Sequence, residues 1–167
     1  PPFYYAAVAA RAPSIAENPS ALVPARLINV AMGVMGLIAL LVLGRRMRLA
    51  RGEFYAFAVM AATTPVLAPL AGAVNNDNLC IAAGAVALLG LYAYAQTRTT
   101  MALLLACGGM IAASAAKLTG LLLVGATLGF GMVLIALTVP VRPRDFVIVA
   151  ASLALAAMPY LVFVAQY

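Results

Sequence analysis

The sequence predicts an all-α fold: a polytopic transmembrane helical domain of about six spans plus an N-terminal interfacial helix. Three observations carry this reading. Of 167 residues, 66% are hydrophobic and only 8% charged, where a soluble domain carries about a quarter charged residues. The apolar residues fall in runs of about 16–22, close to the roughly 20 needed to cross ~30 Å of hydrocarbon. Between the runs lie short polar breaks, and no period-2 alternation marks a strand.

The elements follow in order. Residues 1–10 open with Pro1-Pro2, acceptable at a helix start, and continue with about eight apolar residues, too few to span. Phe3, Tyr4 and Tyr5 suit an interfacial helix at headgroup level. Residues 11–20, with Pro13, Glu17, Asn18 and Pro19, read as a loop. Residues 1–21 are thus an outer-face helix and loop, and 22–167 a helical bundle within one domain. The first full span is 22–43, with Arg26 and Asn29 near its start, and it ends at Gly44 before Arg45, Arg46, Arg48 and Arg51. The second, 54–74, opens on Phe54, Tyr55 and Phe57, and its later half holds Pro65 and Pro69, which predict a kink or broken end. Spans three to five are 79–95, 101–116 and 121–139. A sixth starts at Phe146, with Pro159 near its far end. The chain begins without Met and has neither a signal-peptide n-region nor a cleavage site, so it reads as a piece of a longer protein.

Charge sets the topology. Alternating helices put the loops at 44–53, 96–100 and 140–145 on one side, with seven of the ten cations: Arg45, Arg46, Arg48, Arg51, Arg98, Arg142 and Arg144. By the positive-inside rule that side is cytoplasmic. The net charge of +6 therefore reports loop topology. No basic run is interleaved with aromatics, so no nucleic-acid partner is expected. The absence of His excludes His-based metal sites, His general bases and Ser-His triads. Cys80 and Cys107 lie on different helices at different depths and read as small packing residues rather than a disulfide. No cofactor motif is legible, and a divalent metal is left open.

The opposite face gathers the polar groups that remain. Asn75-Asn76-Asp77-Asn78 sets a carboxylate among three carboxamides, with no cation within fifteen positions. Such a group is costly in hydrocarbon and belongs at a membrane face or in a polar cavity. The plain reading is a helix N-cap. Lys117 sits where two apolar runs meet with almost no loop, and its ammonium needs a lipid phosphate, a carboxylate or a wet cleft. Arg11 and Arg26 share this side, where snorkelling to headgroups is the plain explanation. The chemistry these groups suit is sugar transfer from a lipid-phosphate donor. A carboxylate accepts the proton of the attacking hydroxyl, cations stabilise the departing phosphate, and Asn side chains bond sugar hydroxyls.

Taken in order, Pro1-Pro2-Phe3-Tyr4-Tyr5, Ala25-Arg26-Leu27, Gly44-Arg45-Arg46, Asn75-Asn76-Asp77-Asn78-Leu79 and Lys117-Leu118-Thr119-Gly120 resemble successive landmarks of the polytopic GT-C glycosyltransferases. The nearest type is that of the protein-mannosyltransferases and lipid A aminoarabinose transferases, over residues 1–125. The resemblance implies a polyprenyl-phosphate-linked sugar donor, an extracytoplasmic glycan, lipid or protein acceptor, and a bacterial inner membrane. Asp77 then matches an acidic residue opening a helix at the active-site cavity, in a supporting catalytic role. Asn75, Asn76, Lys117 and Arg26 fall to substrate binding. The family's main catalytic carboxylate lies in a first outer loop that would precede Pro1; Glu17 matches no motif.

Two other classes stay open. A transporter or flippase would pair Asp77 with Lys117 and use Pro65 and Pro69 in a broken helix, although transporter sites lie nearer the bilayer midplane. A structural membrane subunit would pack through small residues such as Gly125-x-x-x-Gly129.

Overall fold

The computed structural model describes residues 22–63 and 77–165, and the described residues are helical almost throughout. In chain order the helices are α1 (Leu22–Arg46), α2 (Arg51–Thr63), α3 (Asp77–Thr97), α4 (Thr100–Ala116), α5 (Leu118–Thr138) and α6 (Pro143–Ala165). The interfacial helix expected over 1–21, the prolines at 65 and 69, and Asn75 and Asn76 lie outside the described residues.

Four helices, α1, α3, α5 and α6, are long and apolar enough to cross a membrane. This is fewer than the six spans expected. α4 has 17 residues and so reaches only about 25 Å, while α2 is described for 13 residues, with the rest of its apolar run beyond the described part. Large apolar side chains stand exposed along α1 (Leu27, Ile28, Met35), α5 (Leu123, Phe130, Leu137) and α6 (Val147, Leu161, Val164). In water, contiguous apolar surface of this kind would be a liability. Against lipid it is the expected outer face, and the chain has the form of an integral membrane protein.

α4 is the central element. Leu103, Ala106, Met110, Ala113 and Ala116 along it are fully buried, enclosed by α3, α5 and α6. A short helix suffices there because its neighbours, not lipid, cover most of it. Its contact with α3 depends on glycine. A Cβ on Gly109 would stand 2.6 Å from the Ala83 carbonyl oxygen and the Ala87 nitrogen, and one on Gly90 would strike the Ala106 backbone. Where lipid supplies no hydrophobic drive between helices, close backbone approach through small residues is what holds them together. Gly36 of α1 meets Ala82 of α3 in the same way, 3.1 Å from its Cα. Among the described residues the Gly125-x-x-x-Gly129 spacing makes no such backbone contact within the chain. Gly125 faces Leu153, but nothing lies within 4 Å of a Cβ on Gly129.

The junctions are tight. α1 ends on Arg45 and Arg46, favourable at the negative end of the helix dipole, and Arg48 follows with φ of 55°. Glu53 in the first turn of α2 accepts the Ala50 N–H at 2.9 Å, one half of a capping box. Arg98, also with φ of 55°, turns α3 into α4 and returns its N–H to Tyr94 O at 2.9 Å. Between α4 and α5 only Lys117 is extended, with φ −166° and ψ 159°.

Candidate functional site

Two polar clusters occupy opposite ends of the bundle. The first is built from the start of α3 and the α4–α5 junction. Asp77 lies in the first turn of α3, where a carboxylate is favoured by the helix dipole. Lys117 interrupts two helices that would otherwise be continuous. Its N–H bonds Ala113 O at 3.2 Å, and its carbonyl accepts the Gly120 N–H at 2.9 Å. Gly120 is obligatory for this bend, since a Cβ there would collide with the Ala113 carbonyl. The bend turns the Lys117 ammonium onto the Asp77 carboxylate, and the two form an ion pair across 40 positions of sequence. Their side chains keep 35% (Lys117) and 29% (Asp77) exposure, so the pair is reachable from outside.

Beneath the pair the structure is closed by polar clamps. Asn78, read from the sequence with its outward-facing neighbours, is instead buried, and its Nδ2 donates to Asn29 Oδ1 at 3.0 Å. This bond ties α3 to α1 and leaves Asn78 unsuited to bonding a sugar. Arg26 stands exposed one turn before Asn29 on α1 and forms no ion pair with Asp77. On the other side, Tyr160 donates its hydroxyl to Ser114 O, one of the last carbonyls of α4, which lack an in-helix partner. That contact pins α6 to α4 one turn from Lys117. Cys80 lies half-buried in the same region, and both cysteines are free thiols.

A separate apolar groove lies between α3 and α5, about two helical turns from this cluster. Gly84, Ala87, Leu88 and Leu91 of α3 line one wall, and Leu123, Val124, Thr127 and Leu128 of α5 the other. Its volume is about 230 Å³.

The second cluster is at the arginine-rich end and was not legible as a site. Asp145, which the sequence presents as a loop charge, is buried in the first turn of α6. Its Oδ2 accepts the Tyr94 hydroxyl at 2.7 Å, and Arg144 Nε lies 3.6 Å from Oδ1. The Arg98 guanidinium covers the Tyr94 ring at 5.5 Å, and Arg144 donates to Thr100 Oγ1 at 3.2 Å. Pro143 followed two residues later by Asp145 is a helix-start signal that points to this placement. With Tyr92 donating its hydroxyl to Arg46 O at 3.1 Å, these contacts bring the turns at 46–51, 97–100 and 139–143 to one end. That grouping agrees with the charge-based topology.

Set against protein-family models, curated proteins and solved structures, the chain matches none.

Proposed function

We propose that this chain is the helical membrane core of a glycosyltransferase that draws a sugar from a polyprenyl-phosphate donor at the face bearing Asp77 and Lys117. One observation carries the reading: a reachable carboxylate–ammonium pair stands above an apolar groove between α3 and α5. The groove begins at Gly84 and Leu123, about two helical turns or ~10 Å below the pair. A phosphate on a long isoprenoid tail has this same polarity, with an anionic head at the interface and an apolar chain below.

In this reading Lys117 neutralises the donor phosphate, whose charge grows as the sugar departs. Asp77 holds the ammonium in place until the donor arrives. When the phosphate takes over Lys117, the Asp77 carboxylate is released to orient the acceptor hydroxyl or assist removal of its proton. The resemblance assigns Arg26, Asn75 and Asn76 to donor and sugar binding. By the family resemblance, the main catalytic carboxylate is a residue other than Asp77. Six crossings follow if α2 continues through 74 and α4 crosses inside the bundle. The arginine-rich end then faces the cytoplasm of a bacterial inner membrane, and the acceptor, a glycan, lipid or protein, is met outside.

The test is lipid binding by the purified protein. Undecaprenyl phosphate should raise its melting temperature, followed by dye labelling of the Cys80 and Cys107 thiols, while undecaprenol, which lacks the phosphate, should not. Lys117→Met should abolish the response at near-normal expression. Equal stabilisation by both lipids, or by wild type and Lys117→Met, would refute the assignment of Lys117.

Orientation is checked separately with an impermeant thiol reagent on intact cells, in a background lacking Cys80 and Cys107. Val74→Cys should label and Ala50→Cys should not. The reverse pattern would place the Asp77–Lys117 face in the cytoplasm and remove the extracytoplasmic acceptor.

A second reading has an observation of its own. The direct Asp77–Lys117 pair beside a one-residue helix break is the arrangement a transporter or flippase would alternate. Proteoliposomes that move undecaprenyl phosphate between leaflets without sugar transfer would favour it.

A further inference from the structure

We propose that the notch where α1 ends against α3 is a binding site for one anionic phospholipid of the arginine-rich leaflet, held by Arg46 and Arg48. The proposal rests on the membrane reading of the chain and not on sugar transfer.

Two clefts adjoin there and share Arg46 and Ala93. The first, of about 440 Å³, is lined by Arg46, Arg48, Tyr92 and Gln96. The second continues along α4 over Met101, Leu104 and Leu105, with Thr97 and Thr99 at its rim. No acidic side chain lines either cleft. Elsewhere in the run, Arg45 lies over the Phe54 ring at 5.5 Å and Arg51 over Tyr55 at 5.9 Å. Arg46 and Arg48 are exposed and, among the described residues, have no carboxylate partner.

Depth decides the occupant. The apolar span of α1 stops at Arg46 and that of α3 at Thr97, so the polar cleft lies at headgroup level and the apolar one at the start of the acyl region. The Tyr92 hydroxyl on Arg46 O, at 3.1 Å, holds the two helix ends together and keeps the notch formed. A diacyl lipid with a net negative head matches both halves in one molecule. Its phosphate meets the two guanidiniums, its head hydroxyls reach Gln96 and Thr99, and one acyl chain lies over Leu104 and Leu105. Basic pockets between helix ends on the positively charged side are where anionic headgroups are recognised. A free phosphate would use the arginines but gain nothing from the apolar half.

The experiment is native mass spectrometry of the protein released from micelles holding equimolar phosphatidylglycerol and phosphatidylcholine. Wild type should retain one phosphatidylglycerol in preference. The Arg46→Gln/Arg48→Gln double variant should lose that preference by about tenfold or more, with unchanged thiol-labelling melting because both side chains are exposed. Arg142→Gln/Arg144→Gln, which removes as much charge from the same face, should keep it. Leu105→Trp, which fills the acyl groove and leaves the arginines, should weaken it. Equal loss in both arginine pairs would reduce the effect to general surface charge and overturn the site. Displacement of the lipid by millimolar inorganic phosphate would make it a phosphate site and overturn the lipid assignment.

Discussion

On the proposed glycosyltransferase reading, Asp77→Asn should leave insertion and folding intact while cutting glycosyl transfer by about tenfold or more. Asn is as good as Asp at a helix start, so the local cost is a few tenths of a kcal/mol. The pair with Lys117 is about one-third exposed, and ion pairs of that kind contribute about 1 kcal/mol or less. Its loss leaves an ammonium that water and headgroups can still solvate. Chemistry is more sensitive. Asn preserves the shape of Asp77 but removes its charge and basicity, and general acid–base assistance is worth about 10²–10⁴-fold. An effect nearer tenfold, below that range, is expected because in the proposed reading Asp77 only supports a main base that lies elsewhere. The measurement is transfer by native membranes carrying the full protein, with thiol-labelling melting as the folding control. Wild-type transfer by a folded Asp77→Asn protein would reduce the pair to a staple between α3 and the α4–α5 bend. That is the plain N-cap reading of Asp77.

The largest effect on stability is expected at the other end, from Tyr94→Phe. The Asp145 carboxylate is almost fully buried, and the Tyr94 hydroxyl at 2.7 Å is its close donor. Oδ1 has no hydrogen bond among the described residues, and Arg144 at 3.6 Å is largely exposed. A hydrogen bond to a buried charge is worth about 1.5–3 kcal/mol, and stranding the charge brings out its full desolvation cost. Tyr94→Phe should therefore lower the melting temperature clearly. Asp145→Asn should then recover part of the loss in the Tyr94→Phe background, because a stranded amide is less costly to bury than a stranded carboxylate. Additive losses in this double-mutant cycle would show that the two groups act independently. A neutral Tyr94→Phe would mean that water already solvates Asp145.

The Asp77 and Asp145 environments show where inference from sequence stopped. Of these two acids, only Asp77 stands in the sequence as an isolated charge between apolar runs. The isolation of Asp77 pointed to a membrane face or a polar cavity, and its pairing with Lys117 was expected only under the transporter reading. Asp145 sat among arginines and read as one more solvated loop charge. Its burial depends on α6 starting at Pro143, three residues before the apolar run at Phe146, and on Tyr94 arriving from 51 positions away. Asn78 failed for a related reason. A carboxamide beside Asn75, Asn76 and Asp77 looks like part of a polar loop, yet one step into the helix it faces Asn29 and not the outside.

Among the described residues, the course of the helices to within a few positions, the breaks between them and the turns that share an end were legible in the sequence alone. They follow from local facts: uninterrupted apolar runs must satisfy their backbone as helices in lipid, and arginines collect at the ends on one side. Only the tertiary structure decided the rotation of each helix about its axis. In a soluble bundle the polar face declares that rotation, but here both faces of α3, α4 and α5 are apolar, because lipid and core make similar demands. Rotation is set by backbone contacts at Gly36, Gly90, Gly109 and Gly120, which a sequence rich in Gly and Ala offers in many combinations. From those contacts follow the pairing of Asp77 with Lys117, the burial of Asn78 and the notch beneath Arg46. They require three-dimensional packing because their partners lie 40 to 49 residues apart.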